Sequence, residues 1–286
     1  DAVYTMALGG LHSQDKPGLL IASEIGACIR DADVASFYPN GILSYDVYPE
    51  HLERNPFRAT VGYTKDTRVE AKHAASKELK EYKKLLNEIN TFKNNHVNQS
   101  IIDDLQAKAD ALMKSSKRYK IKAEGLKIAI NRMYGAFRDS NDFLYDPYCT
   151  YRTTINLQLC LIMLIEELEL NGISVVSANT DGIVCKIPYE LEDTYYNICN
   201  AWQAKLDFEL EYTDYERYLR KDVNDYIKKK KGFDENLNKL INSDDFNNKS
   251  DNDKKEALKA LEDDYIKRKG FFIEDLVFNK GYNSPI

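Results

Sequence analysis

Residues 31–49, DADVASFYPNGILSYDVYP, guide the interpretation of the whole chain, because they set an acid at the end of a short apolar run. Val34 and Phe37 belong to that run and predict a buried strand, which Pro39 ends. Asp33 therefore lies where a strand gives way to a turn. A carboxylate in that position either holds a hard cation or caps the following helix, and the stretch alone leaves both open.

Two further segments complete a pattern that begins with this one. Residues 33–39 (DVASFYP) resemble the DxxSLYP pattern, which is motif A of family B DNA polymerases. Residues 127–135 (KIAINRMYG) resemble motif B of that family, KxxxNSxYG, and residues 179–182 (NTDG) resemble motif C, DTDS. One match would be weak, but three in order at plausible spacings make chance a poor explanation. The resemblance covers residues 1–230 and is closest in style to phage and plasmid replication enzymes.

The composition indicates a globular protein with a real core, since 43% of the 286 residues are hydrophobic and 30% are charged. No apolar run reaches the ~18 residues of a membrane span, so we expect no membrane partner. The five cysteines show no CxxC spacing, which favours reduced thiols and a cytoplasmic location. The four histidines are scattered, and we expect no zinc site. A net charge of −6 argues against a surface that is basic throughout.

Apolar spacing predicts two long helices, at residues 67–94 and 101–137, on either side of a polar loop at 94–98. Such a pair is an antiparallel hairpin, which without the motifs we would interpret as a coiled-coil arm. The remaining predictions are helices at 153–170 and 189–206, strands at 173–178, 182–188, 207–212 and 218–227, a polar, partly helical insertion of low order at 232–264, and apolar segments at 270–273 and 276–278.

We predict an α+β fold, with an antiparallel polymerase palm sheet backed by helices and an inserted antiparallel two-helix fingers hairpin. The predicted domains are residues 1–66 (first part of the palm, with motif A), 67–138 (fingers, ending in motif B), 139–230 (second part of the palm, with motif C) and 231–286 (the polar insertion and a palm- or thumb-side end segment). We expect the exonuclease and thumb domains of such polymerases to belong to missing parts of a parent chain.

The resemblance implies a site for two Mg²⁺ ions. Asp33 and Asp181 match the family's catalytic metal ligands, and the backbone carbonyl of Val34 would be a further ligand. Mg²⁺ prefers oxygen ligands, and a pair of ions ~3.5–4 Å apart serves phosphoryl transfer. Asn179 replaces the first motif C acid, which weakens the charge without abolishing the site. Gly182 replaces the motif C Ser and is predicted to serve a tight turn.

Other charged residues have plainer interpretations. Asp31 lies two residues before Asp33 and so points to the same face of the strand. It offers either a spare carboxylate near the metals or a solvated acid at the start of the strand, and we expect the latter. Basic clusters lie at residues 114–127, 228–231 and 267–269, and each taken alone predicts a solvated face.

The resemblance also implies residues that bind the incoming nucleotide, and these are Arg68, Lys72, Lys127, Asn131, Tyr134 and Tyr38. Lys127, Asn131 and Tyr134 share one helix face at i, i+4 and i+7. Lys127 would neutralise the phosphates, Asn131 would hydrogen-bond to the nucleotide, and Tyr134 would pack against the nascent base pair. Tyr38 would exclude a 2′-hydroxyl and so select deoxynucleotides. For Arg68 and Lys72 the alternative is a solvated helix face.

The predicted partners are a DNA primer-template and dNTPs. Tyr226, Lys267, Arg268 and Lys269 would contact the DNA backbone, although two lysines that the family carries before the tyrosine are missing here. The sequence thus predicts a fragment of a template-directed DNA polymerase that uses Mg²⁺. Two alternatives stay open, a non-catalytic nucleic-acid-binding fragment that keeps the polymerase skeleton and a primase-like nucleotidyl transferase.

Overall fold

The computed structural model describes residues 3–94 and 98–270. The described residues form two compact units, one within residues 3–37 and 154–270 and the other within residues 38–94 and 98–153. The helices are α1 Ala22–Ile25, α2 Phe37–Ser44, α3 Arg54–Asn94, α4 Gln99–Ala136, α5 Pro147–Leu170, α6 Glu192–Leu206, α7 Phe233–Ile241, α8 Asp244–Asn247 and α9 Asp251–Tyr265.

An antiparallel sheet forms the frame of the first unit. Its strands are β1 Tyr4–Ala7, β2 Gly10–Ser13, β3 Gly18–Ile21, β4 Ala27–Val34, β5 Ser174–Asn179, β6 Gly182–Pro188, β7 Leu210–Asp222, β8 Asp225–Lys230 and β9 Ile266–Lys269. They lie in the order β1-β2-β5-β6-β4-β7-β8-β9, and β3 pairs with β7 as well. Helices and an antiparallel sheet occur together, so the α+β class is confirmed.

Helix α6 covers one face of this sheet. Arg30 of β4 pairs with Glu192 of α6 at 2.8 Å and with Asp214 of β7 at 2.6 Å. The Trp202 indole of α6 donates to the Cys160 carbonyl of α5 at 2.8 Å, which joins the two helices. Because successive side chains of a strand point to opposite faces, Asp31 and Asp33 lie on the face away from α6.

The second unit contains the predicted helical hairpin. Ile89 of α3 packs with Ile102 of α4, and the Ser116 hydroxyl of α4 donates to the Ala75 carbonyl of α3 at 2.8 Å. The contact that lies later on α3 thus lies earlier on α4, so the two helices are antiparallel. The predicted loop between them falls largely on residues 95–97, outside the described residues.

Several element boundaries differ from the predictions. The strand ends at Val34, and Phe37 does not extend it. Phe37 is instead the first residue of α2, a helix of eight residues that includes Pro39. Helix α3 starts at Arg54 and not at residue 67, since its first turns pack their own apolar side chains around Phe57. The predicted strand 207–212 overlaps the start of β7, which begins at Leu210, and the predicted strand 218–227 covers the end of β7, the turn after it and the start of β8.

The polar segment at residues 232–264 is more regular than we predicted, since it contains α7 and α9, and Ser250 caps the latter through the Asp253 amide. The predicted apolar segments beyond Gly270 lie outside the described residues. Within the described chain, no helix combines the length and the apolar character that a bilayer span requires.

Candidate active site

Two neighbouring strands bring Asp33 and Asp181 to one place. Asp33 is the penultimate residue of β4 and pairs with Gly182, the first residue of β6. The Val34 amide donates to the Asp181 carbonyl at 2.7 Å, which joins the two acidic segments directly. Positions 33 and 181 therefore meet across antiparallel strands.

The turn that carries Asp181 is tight and has an unusual backbone. Asn179 pairs with Gly182, and the Asp181 amide donates to the Asn179 carbonyl at 2.7 Å. Thr180, between them, has a φ of 61°, which non-glycine residues rarely adopt. Ser36, three residues after Asp33, has a φ of 50°. Left-handed residues thus flank both acids, a kind of strain that clusters at functional sites.

Gly182 has a structural role other than the predicted tight turn. Its φ lies outside the left-handed region, in contrast to five other glycines of the described chain. A Cβ atom at this position would collide with Asp33 Oδ1 and would lie 3.2 Å from the Ala32 carbonyl oxygen. The missing side chain therefore gives the Asp33 carboxylate its space.

The prediction that Asp31 is a solvated acid is wrong. Asp31 is 3% exposed, and its Oδ2 lies 2.8 Å from the Lys228 ammonium. The rings of Tyr215, Tyr218 and Tyr226 surround that ammonium at 5.4, 5.1 and 4.8 Å from their centroids. The acid is buried because β4 lies inside the sheet and a cation from β8, two strands away, neutralises it. The solvated-face interpretation of the 228–231 cluster fails for the same reason at Lys228.

A second lysine also reaches the acids, which the sequence did not predict. The Lys267 ammonium of β9 lies 3.8 Å from Asp31 Oδ2 and 3.8 Å from Asp33 Oδ2. Both acids and Asp181 line a cavity of about 330 Å³, together with Lys267 and Lys269. No local signal could have indicated this, since the contact depends on the pairing of β9 with β8.

Burial and neighbouring charges change the protonation equilibria of the site. Burial first, and then the charge of Asp31, raise the pKa of Asp33 to about 6, while Lys267 opposes the rise. Burial lowers the pKa of Lys228, although Asp31 acts against that change. Burial also acts to lower the pKa of Lys267, but Asp31 and Asp33 outweigh it and the pKa is raised. Asp33 therefore holds its proton more strongly than an exposed aspartate does, and Lys267 offsets only part of that effect.

The donors at this site suit Mg²⁺. Asp33 and Asp181 offer carboxylate oxygens, and Mg²⁺ is usually held by one or two carboxylates plus phosphate and water. No cluster of three or more His, Cys, Asp or Glu side chains arranged for a metal occurs in the described part of the chain. Asn179 lines the same cavity, where its Nδ2 donates to the Val223 carbonyl at 3.2 Å and its Oδ1 accepts from Thr180.

The predicted nucleotide-binding residues all lie in the second unit. Tyr38 and Tyr134 are in contact, with ring centroids 4.6 Å apart. Lys127 and Asn131 are exposed on α4, and Arg68 and Lys72 lie on α3. The pairing of α3 with α4 sets Lys127 level with residue 64, so Arg68 lies about one turn nearer the tip of the hairpin.

The predicted DNA-binding residues divide into two groups. Lys267 and Lys269 line the cavity with the acids, whereas Arg268, between them on β9, lies 3.4 Å from Glu262. Tyr226 is 7% exposed and packs beside Tyr218. Because side chains alternate along β9, its two lysines and its arginine point to opposite faces.

Comparison with known proteins adds little to this geometry. No family model matches the chain, and no curated protein matches it either. Among solved structures, the chain is similar to the family B DNA polymerase of the hyperthermophilic archaeon Pyrobaculum calidifontis, with a TM-score of 0.44 and 17% sequence identity. The similarity covers 76% of this chain and 27% of that polymerase, so the chain spans about a quarter of its length.

Proposed function

We propose that this chain is the palm and fingers part of a family B-type DNA polymerase that transfers nucleotides from dNTPs to a DNA 3′ end. The observation that carries the proposal is the meeting of Asp33 and Asp181, whose segments the Val34–Asp181 hydrogen bond joins at 2.7 Å. In the proposed reaction the primer 3′-oxygen attacks the α-phosphorus, the bond to the β-phosphate breaks, and pyrophosphate leaves. Mg²⁺ at this site would activate the hydroxyl and stabilise the leaving group.

Each predicted residue keeps a role in this proposal. Asp33, Asp181 and the Val34 carbonyl hold the ions. Residues of the second unit bind the nucleotide, where Lys127 neutralises phosphate charge and Tyr38 excludes a 2′-hydroxyl. The backbone-directed DNA contacts fall to Lys267 and Lys269, which share the cavity of the acids, together with Arg268 and Tyr226.

Primer extension with labelled dNTPs and Mg²⁺ tests the proposal. The native protein should extend the primer, and Asp181→Ala should lose extension to background. Asp193→Ala, an exposed acid in the first turn of α6, is the matched control and should extend normally. Equal product from the native protein and Asp181→Ala would remove Asp181 from the mechanism.

A second experiment tests the nucleotide assignments separately. The native protein should discriminate against ribonucleotides, and Tyr38→Ala should incorporate them with less discrimination while it still uses dNTPs. Incorporation of both sugars at equal rates by the native protein would remove Tyr38 as the sugar selector. Product formed without any primer would favour the primase-like alternative.

One observation favours a non-catalytic alternative. Cations of the protein itself already pair with two of the acids, Lys228 with Asp31 and Lys267 with both Asp31 and Asp33. A nucleic-acid-binding fragment that no longer needs metal could keep such pairs as structural contacts. Native protein that binds a primer-template but extends nothing under Mg²⁺ or Mn²⁺ would establish this alternative.

A further inference from the structure

The charges of β8 and β9 are arranged around Asp31 in an unusual way. Lys228 of β8 and Lys267 of β9 lie directly opposite each other in the strand register. Like charges in opposite positions destabilise a sheet unless something compensates them. Asp31 supplies that compensation, because its Oδ2 lies 2.8 Å from one ammonium and 3.8 Å from the other.

The two lysines are not equivalent partners of Asp31. Lys228 is buried with it and is the closer of the two, so Lys228 alone neutralises the Asp31 charge. Lys267 is about half exposed and lies equally far from Asp31 and from Asp33. Its positive charge is therefore in excess at Asp31 and is shared with the acid that the proposed function assigns to metal binding.

We propose that Lys267 is a tethered cation that competes with a divalent metal ion for Asp33. The inference rests on the proposed function, because it concerns the same carboxylate. A metal bound to Asp33 at ~2.1 Å would lie within ~6 Å of the ammonium, which is 3.8 Å from Asp33 Oδ2. At that separation the repulsion of a single and a double positive charge, even with water-like screening, weakens metal binding about tenfold.

Direct Mn²⁺ binding tests the competition without any turnover. Free aquo-Mn²⁺ is measured by electron paramagnetic resonance, near neutral pH and after removal of bound metal with a chelator. Lys267→Met should bind Mn²⁺ about tenfold more tightly than the native protein. Lys267→Arg keeps the charge and should bind like the native protein. Arg268→Gln removes the same charge one residue away, on the opposite face of β9, and its affinity should change less than about twofold.

The outcomes separate this inference from the proposed function. If native protein and Asp33→Asn bind Mn²⁺ equally, or neither native protein nor Lys267→Met binds it, the metal site of the proposed function fails and the inference fails with it. If native protein binds Mn²⁺ through Asp33 and Lys267→Met binds no more tightly, only the competition is overturned. Lys267→Gln repeats the measurement if the Met variant has a lowered melting temperature.

Discussion

Replacing Asp31 by Asn should destabilise the unit that carries the sheet by about 3–5 kcal/mol, because it leaves a buried ammonium without its carboxylate. Lys228 would lose the partner at 2.8 Å and keep only the tyrosine rings, which compensate part of the charge. Lys228→Met should cost less, about 2 kcal/mol, since Asp31 keeps Lys267 at 3.8 Å and the Tyr215 hydroxyl at 3.5 Å. The double variant removes both charges, so we expect a coupling energy of about 2–3 kcal/mol.

Urea unfolding followed by tryptophan fluorescence measures these free energies for the compact unit that carries the sheet. Trp202 is the single tryptophan of the chain and is buried on α6, in the unit that contains the Asp31–Lys228 pair. Arg268→Gln is the control, because its partly exposed pair with Glu262 should contribute less than about 1 kcal/mol. Additive costs in the double variant, or a cost below about 1 kcal/mol for Asp31→Asn, would refute the reasoning.

Three further predictions concern the acids themselves. Gly182→Ala sets a methyl group against Asp33 Oδ1, so it should weaken Mn²⁺ binding at least about tenfold. The free energy of unfolding should fall by only about 1 kcal/mol. An unchanged Mn²⁺ affinity would contradict this prediction. The folded protein raises the pKa of Asp33 from 3.8 to about 6, so its ionisation opposes folding as pH rises through that window. With chelator present, Asp33→Asn should therefore be more stable than native protein by about 1 kcal/mol at about pH 8, a value that allows for the half-exposed side chain. The two proteins should be equally stable at about pH 3.5. Urea unfolding midpoints at both pH values measure the difference. Asn179→Asp adds a carboxylate to the cavity, and calorimetry should show about tenfold tighter Mn²⁺ binding. Weaker binding would mean that losing the hydrogen bond from the Asn179 amide to the Val223 carbonyl outweighs the added charge.

The sequence predicted those parts of the site that depend on local pattern. Strand alternation placed Asp31 and Asp33 on one face, and the turn at Asn179–Gly182 placed Asp181 between two consecutive strands. The hairpin followed from apolar side chains at helical spacing, which local sequence encodes fully. These features need only neighbours within one element or across one turn.

The rest depended on register between strands far apart in the chain. Lys228 and Lys267 reach Asp31 because β7, β8 and β9 are added to the sheet beside β4, and no local pattern fixes which of their residues face it. The role of Gly182 was missed for a similar reason. Asp33, on another strand, approaches Gly182 and leaves little space for a side chain there. The neighbouring sequence suggests only that Gly182 belongs to a turn.

Charge balance connects the departure in motif C with the lysines. Asp31, Asp33 and Asp181 contribute three negative charges around the cavity, and Lys228, Lys267 and Lys269 return three positive ones. These six side chains leave no net charge, whereas two divalent ions need a surplus of negative charge. Under the proposed function, most of the compensation for the ions must come from the phosphates of the nucleotide. An amide rather than an acid at position 179 fits that arrangement, because metal would then be held firmly only when substrate is present.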